Sequence, residues 1–215
     1  MKYTIGLVDD NENQLSDIRA AIKINKTKDF EIDFKSYVIP SKSEDAIVVL
    51  LTEIIDDIKN GRIHSLIIDY KIVISTQIIH GSELVNLIKK KLSNFPIVVL
   101  TEIPEDSKKS DFIDSDKVYI KREFLKVKED YSREKISNIF DSIEKYVTQK
   151  DTLLAKLEDQ QNKTPSDNIQ EIIELEEQLS TFIPMDITQA DKIFDKTKIT
   201  ELTALINSLN NLLEK

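Results

Sequence analysis

Short apolar runs alternate with amphipathic segments from the start of the chain to about residue 120. The runs have the length and composition of β-strands and cover residues 3–8, 65–68, 96–100 and 118–120. A further strand is predicted over residues 30–38, where apolar and polar residues mostly alternate, as in a strand nearer the sheet edge. Between these strands, apolar residues recur at three- and four-residue spacing within residues 15–22, 47–58 and 84–92, which predicts amphipathic helices. Continuous apolar strands that are separated by helices are typical of a parallel sheet covered on both faces. We therefore predict an α/β fold.

From about residue 132 the pattern is helical alone. One long helix is predicted over 132–162, and two more over about 167–182 and 188–214, with a break at Lys163-Thr164-Pro165. Each helix has an apolar stripe that needs a partner surface, either within the chain or in a second chain, as in a coiled coil. We therefore predict two domains, a sheet domain over residues 1–131 and a helical extension over residues 132–215.

Polar residues stand where the predicted strands end. Asp9 and Asp10 follow the first strand, Asp69 the third, Thr101 the fourth and Lys121 the fifth. In an open α/β sheet, ligands bind outside the carboxyl ends of the strands, where the strand order reverses, so we expect these side chains to converge. Two carboxylates can hold Mg²⁺ and a third can act as a nucleophile, while the hydroxyl and the ammonium bind a transferred phosphoryl group.

The charge of the chain is negative and unevenly distributed. The net charge is −9, to which residues 1–148 contribute −3 (23 basic, 26 acidic) and residues 149–215 contribute −6 (7 basic, 13 acidic). Binding to a nucleic-acid backbone depends on lysine and arginine contacts, so we do not expect the acidic C-terminal region to bind nucleic acid. The sequence contains no cysteine, which excludes disulfides and thiolate metal sites.

No segment is typical of a membrane span or a secretory leader. The longest wholly apolar run is residues 46–51, far below the roughly 20 residues that span a bilayer. No positively charged leader with an apolar core precedes the first strand. We therefore expect a cytoplasmic protein without membrane insertion.

With these polar residues in order, each at a strand end, the chain resembles the receiver domain of response regulators, the phosphoacceptor proteins of bacterial two-component systems. The resemblance covers roughly residues 1–148. Gly81-Ser82-Glu83-Leu84 adds to it, because this segment is similar to the glycine-x-glutamate-leucine opening of the family's third helix. The resemblance implies a flavodoxin-like sheet of five parallel strands in the order 2-1-3-4-5, with helices on both faces.

The resemblance also implies roles for the site residues. It implies a Mg²⁺ site with four protein ligands, which are Asp9, Asp10, Asp69 and the backbone carbonyl of Lys71. Asp69 would accept the phosphoryl group, Lys121 would pair with one phosphoryl oxygen, and the Thr101 hydroxyl would hydrogen-bond another. The implied phosphodonor is a histidine kinase or a phosphotransfer protein. The implied activity is at most self-phosphorylation and slow autodephosphorylation, so we do not expect an enzyme in the usual sense.

Several positions depart from the family's pattern. Asp69 and Gly81 are 12 positions apart, more than is usual in the family, which indicates an insertion after the third strand. Glu102 replaces a residue that is usually small, and Arg122 replaces the proline that usually follows the site lysine. Val118 occupies the position of the usual aromatic switch residue.

The leading hypothesis is a signalling protein that accepts a phosphoryl group on Asp69. Its output would be protein–protein interaction or dimerisation through the C-terminal helices. The alternative is a phosphorylation-independent adaptor that keeps the receiver fold as a scaffold, which Glu102, Arg122 and the insertion motivate. A hydrolase with an aspartate nucleophile is less favoured, because Asp69 has no acidic residue two positions later. A histidine phosphotransfer domain is excluded, since the helical extension contains no histidine.

Overall fold

The computed structural model describes residues 2–26, 29–37, 46–74, 77–102, 115–162 and 169–184. Met1–Pro184 form one compact unit, and a second unit, Met185–Lys215, lies outside the described residues. The helix predicted over 188–214 therefore lies outside them, as does most of the polar stretch before the fifth predicted strand. No helix of the described segments is long and apolar enough to cross a membrane.

The main sheet has five parallel strands: β1 (Lys2–Val8), β2 (Glu31–Tyr37), β3 (Ser65–Asp69), β6 (Ile97–Thr101) and β7 (Val118–Ile120). Their order is β2-β1-β3-β6-β7. Counted along the chain without the strands of a separate hairpin, this is the order 2-1-3-4-5, which confirms the predicted fold class. The order reverses between β1 and β3, so the carboxyl ends of these two strands form the cleft where such sheets bind ligands.

The insertion after β3 is an antiparallel hairpin. Its strands, β4 (Lys71–Ile74) and β5 (Gln77–His80), pair only with each other among the described strands. The hairpin returns the chain to its starting point, because the amide of Gly81 donates to the carbonyl oxygen of Tyr70 at 2.7 Å. The extra residues between Asp69 and Gly81 are therefore accommodated without displacing the helix that follows.

Helices cover both faces of the sheet. Alternate residues of a strand point to opposite faces, so Ile67 packs on one side, while Leu66 and Ile68 pack on the other. One face is covered by α1 (Glu12–Asn25) and the first half of α5 (Asp130–Gln161). The other face is covered by α2 (Ala46–Lys59) and α3 (Gly81–Lys89). A four-residue helix, α4 (Lys121–Phe124), connects β7 to the segment before α5.

The chain after α5 returns to the sheet domain. Helix α6 (Ile169–Ser180) packs on α5, and Phe182, just after it, is buried against Tyr146 and joins the core on the α2–α3 side. The Tyr146 hydroxyl donates to the carbonyl oxygen of Phe182 at 3.0 Å. Asn94, in the turn before β6, donates from its side chain to Thr181 Oγ1 at 2.7 Å. The domain boundary predicted after residue 131 stays a prediction.

Candidate functional site

The strand order brings three of the predicted site residues together. Asp9 follows the last residue of β1, Asp69 ends the adjacent strand β3, and Lys121 is the first residue after β7. The Lys121 ammonium lies 2.7 Å from Asp9 Oδ2 and 2.7 Å from Asp69 Oδ1. These residues are 112 and 52 positions apart from Lys121 in sequence, so only the parallel sheet brings them within hydrogen-bond distance.

This three-residue cluster is largely withdrawn from solvent. The exposed fraction of the side chain is 2% for Asp9, 4% for Lys121 and 13% for Asp69. Asp69 is thus the most accessible of the three. Asp9 is held at a second point, because its Oδ1 accepts a hydrogen bond from the Asn11 amide at 2.8 Å.

Burial and pairing act in opposite directions on the two ends of the ion pair. Burial raises the pKa of Asp69 above its ordinary value, and the hydrogen bond and charge of Lys121 only partly oppose this effect. For Lys121, burial alone lowers the pKa, but the hydrogen bonds and charges of Asp69 and Asp9 outweigh it, so the pKa is raised. Lys121 therefore stays protonated at neutral pH, and its charge is fixed against the two carboxylates.

The other predicted residues lie around this cluster. Thr101 is buried at the end of β6, directly after Leu100, which is the residue paired with Asp69 across the sheet. Asp10 and Glu102 are both exposed, and Glu102 directly follows Thr101 in sequence. The cap of α1 comes from Asn11 rather than Asp10, since Asn11 Oδ1 accepts from the Asn13 amide at 3.0 Å.

The Lys121 ammonium contacts Asp9 and Asp69 although Arg122 replaces the proline that usually follows this lysine. Lys121 opens α4, and Arg122 is exposed, with its guanidinium directed at Glu123. One contact that holds this segment was not identified by the sequence pattern. The backbone amide of Ile120 donates to the hydroxyl of Tyr131 at 2.9 Å. Tyr131 precedes the apolar stripe of α5, so the periodicity of the sequence carries no signal for it.

A second support holds the other end of the Lys121 segment. Asn25, buried at the end of α1, accepts from the Lys128 amide at 2.9 Å and donates to Ser132 Oγ at 2.9 Å. The Ser132 hydroxyl in turn donates to the carbonyl oxygen of Phe124 at 2.5 Å. Lys128 has φ of 70°, a left-handed conformation that non-glycine residues seldom adopt. The Asn25 side chain stabilises this turn because it accepts the Lys128 amide.

The chemistry and geometry of the two carboxylates bear on Mg²⁺ binding. Both contact the same Lys121 nitrogen, each at 2.7 Å, so one oxygen of each lies beside a single cationic centre. Mg²⁺ is commonly bound through one or two carboxylates, with waters and phosphate oxygens completing its shell. Asp9 and Asp69 fit this requirement. Within the described part of the chain, no group of three or more acidic or histidine side chains is arranged to hold a metal ion.

No family model matches the sequence, and no curated protein matches it. Solved structures of similar fold include the bacteriophytochrome response regulator AtBRR, at 16% identity and a TM-score of 0.43, covering 66% of this chain and 93% of that one. A Mn²⁺-bound form of the response regulator Rcp1 is similar at 15% identity and a TM-score of 0.36, covering 64% and 88%.

The RcsB response regulator of Salmonella typhimurium, described in connection with DNA interaction, is similar at 16% identity and a TM-score of 0.40. That match covers 86% of this chain and 95% of RcsB. All three are response regulators. Because the identities and TM-scores are low, the fold assignment rests on the strand order of the chain itself.

Proposed function

We propose that the chain is a bacterial, cytoplasmic signalling protein of the two-component type that accepts a phosphoryl group on Asp69. The observation that carries the proposal is the Lys121 ammonium, which lies 2.7 Å from both Asp9 and Asp69 at the carboxyl edge of the sheet. The buried Lys121 ammonium offers a positive charge to an anionic ligand at this edge. Asp69, the more accessible of the two carboxylates, lies on the central strand.

The phosphoryl donor is a histidine kinase or a phosphotransfer protein. An Asp69 oxygen attacks the phosphorus of the donor's phosphohistidine. The P–N bond breaks, and the histidine nitrogen leaves with the bond electrons and takes up a proton. The product is an aspartyl phosphate. Asp9, Asp10, Asp69 and the Lys71 carbonyl would hold Mg²⁺, which would supply positive charge to offset the negative charge of the phosphoryl group.

Lys121 has two roles in this scheme. Before transfer it neutralises part of the charge of the two carboxylates, and after transfer its ammonium pairs with an oxygen of the new phosphate. The Thr101 hydroxyl donates to another phosphate oxygen and thereby makes the end of β6 sensitive to phosphorylation. The output is protein–protein interaction or dimerisation through the C-terminal helices, since neither an acidic tail nor the described helices favour nucleic acid or a membrane.

The test is the intact mass of the full chain after incubation with acetyl phosphate and Mg²⁺. We expect the mass to increase by one phosphoryl group in the wild type and in Asp33→Asn, an exposed aspartate of β2 paired with Lys2. We expect no increase in Asp69→Asn. A wild type that gains no mass with any small phosphodonor, or an Asp69→Asn variant that gains it equally, contradicts phosphoryl acceptance on Asp69.

A phosphorylation-independent adaptor is the second candidate. It is favoured by the same ion pair, because the Lys121 ammonium compensates both carboxylates through two hydrogen bonds. Exposed Glu102 beside Thr101 also places a negative charge where a phosphate would approach. The two functions differ in their response to beryllofluoride, which mimics a phosphoryl group. A Mg²⁺-dependent change of oligomeric state or partner affinity supports the phosphoacceptor, and no change after demonstrated beryllofluoride binding supports the adaptor.

A further inference from the structure

A cavity lies at the opposite edge of the sheet from Asp69. It is lined by Ser65 and Ile97, the first residues of β3 and β6, and by Lys117 just before β7. We call it the amino-edge cavity, and its volume is about 350 Å³, within the range of small-molecule sites. Ser65 and Asp69 are the two ends of β3, so the cavity is roughly 13 Å from the phosphoacceptor at about 3.3 Å per residue.

The lining of the amino-edge cavity is positively charged. Lys89, Lys117 and Lys145 contribute to its wall, and the described residues that line it include no aspartate or glutamate. This is notable in a chain with a net charge of −9. The Lys89 ammonium donates to the carbonyl oxygen of Ser93 at 2.8 Å, and the Lys117 ammonium donates to Ser142 Oγ at 3.3 Å. Two of the three ammonium groups are therefore oriented by other residues of the same wall.

The remainder of the wall adds neutral hydrogen-bonding groups. Asn94 and Gln149 contribute side-chain amides, and both residues are exposed. Phe95 and Tyr146 pack edge to face, with ring centroids 5.4 Å apart, and are 0% and 4% exposed, so they offer little surface to a ligand. A small anion that accepts several hydrogen bonds matches this lining.

Ser65 provides an independent indication of a polar ligand. The residue is 1% exposed, and its hydroxyl has no hydrogen-bond partner among the described residues. Leaving a buried hydroxyl without a partner costs about 1–3 kcal/mol, so such groups are uncommon in native structures. A polar ligand or the water it brings into the cavity would provide the missing partner.

We propose that the amino-edge cavity binds the phosphate group of a small phosphate-bearing anion. The lysines bind the phosphate oxygens, and the side-chain amides of Asn94 and Gln149 donate further hydrogen bonds to them. The site uses none of the residues assigned to phosphoryl acceptance, so ligand binding here can be tested independently of the proposed function. Ligand binding in this cavity is a second signal to the receiver fold besides phosphorylation. It acts at the edge where the end of α6 is attached through Asn94 and Tyr146.

The test is a titration of the full-length chain with inorganic phosphate, adenosine and AMP, followed by NMR of the backbone amides. We expect saturable shifts at Asn94, Lys117 and Gln149 with phosphate and with AMP, and none with adenosine. The double variant Lys117→Gln/Lys145→Gln should weaken AMP binding at least about tenfold. Lys156→Gln, an exposed lysine of α5 outside the cavity, is the matched control and should bind as the wild type does.

Any of three results overturns the proposal. One is the absence of saturable shifts at the cavity amides with all three probes up to about 10 mM, a concentration above the weakest affinity expected of a specific site. Another is unchanged AMP affinity in a folded double variant. Shifts confined to Asp69 and Lys121 would likewise place the ligand at the phosphoacceptor and count against a second site. Mass gain on Asp69 is measured separately, so failure here leaves the phosphoacceptor test intact.

Discussion

Gly81 is packed directly against the backbone of Asp69. A β-carbon added at position 81 would overlap the carbonyl oxygen of Asp69 and would lie 2.9 Å from Cγ2 of Ile68. Gly81 also closes the inserted hairpin through its hydrogen bond to Tyr70. The first residue of α3 therefore fixes the position of the end of β3 at Asp69, and the absence of a side chain at residue 81 is what permits this contact.

The substitution Gly81→Ala should shift Asp69 relative to Lys121. The added methyl meets backbone atoms that cannot rotate away, so we expect a loss of about 1–3 kcal/mol in the free energy of unfolding and slower mass gain with acetyl phosphate. Gly61→Ala is the matched control, because Gly61 has φ of +64° but nothing within 4 Å of an added β-carbon. That variant should lose stability through backbone strain alone and keep the wild-type rate of phosphorylation. Equal phosphorylation rates in the two variants would contradict the positional role of Gly81.

Removing the Lys121 charge should destabilise the fold strongly. In Lys121→Met, the buried carboxylates of Asp9 and Asp69 face each other without a cation. Loss of one partner of a buried ion pair costs about 3–5 kcal/mol, which urea denaturation at neutral pH can measure. The loss should decrease at acid pH, where the carboxyls become neutral. Lys126→Met, which breaks an exposed pair with Glu123, should cost less than about 1 kcal/mol. Similar losses in both variants would show that the pair at Asp69 is no stronger than a surface contact.

The Tyr131 hydroxyl should control the local stability of the Lys121 segment. Tyr131→Phe removes the acceptor of the Ile120 amide, and we expect a loss of about 1 kcal/mol. Hydrogen exchange should accelerate at Ile120 and Lys121. Tyr146→Phe removes a comparable hydrogen bond to Phe182 at the opposite edge and should leave exchange at Ile120 unchanged. If Tyr131→Phe leaves the Ile120 amide as protected as before, the hydroxyl does not hold this segment.

His64 should make stability depend on pH. Burial lowers the pKa of His64 below its ordinary value of 6.5, with a further lowering by Lys150 and opposing contributions from Thr4 and Asp151. Its Nδ1 accepts the Thr4 amide at 3.1 Å, which a protonated ring cannot do.

Around and below pH 6.5, the imidazole of His64 is therefore protonated more fully in the unfolded chain than in the folded protein. The stabilising contribution of neutral His64 is complete above this value and is lost as the pH falls through the lowered pKa of the folded state. His64→Gln should show a smaller loss of stability than the wild type between about pH 7 and pH 5. His80→Gln, at an exposed position, is the control. Parallel stability curves for wild type and His64→Gln would rule out this contribution.

Phe182 should determine whether the end of α6 stays attached to the sheet domain. Phe182→Ala removes a nearly buried ring from the contact with Tyr146, and large-to-small substitutions of this kind cost about 3–5 kcal/mol in a core. We expect limited proteolysis to cut after α5 more rapidly in this variant. Ile169→Ala, an exposed position at the start of α6, should be cut at the wild-type rate. No difference between the variants would show that α6 is held by other contacts.

The sequence by itself determined the order of the elements and the ends of the strands. Apolar runs such as residues 97–101 form strands because their continuous hydrophobicity fits only a sheet covered on both faces. Asp9, Asp69 and Lys121 were identifiable because each interrupts or directly follows such a run. Their convergence was also predictable, since parallel strands place their carboxyl ends at one edge.

Only the tertiary structure decided the contacts between residues that lie far apart in sequence. The overlap of Gly81 with the Asp69 backbone, the hydrogen bond from Ile120 to Tyr131 and the burial of Phe182 depend on how elements pack, not on local periodicity. The hairpin within the insertion and the cluster of lysines at the amino-terminal edge of the sheet belong to the same class. A pattern of apolar residues specifies which face of an element is buried, but the partner across that face is set by three-dimensional packing.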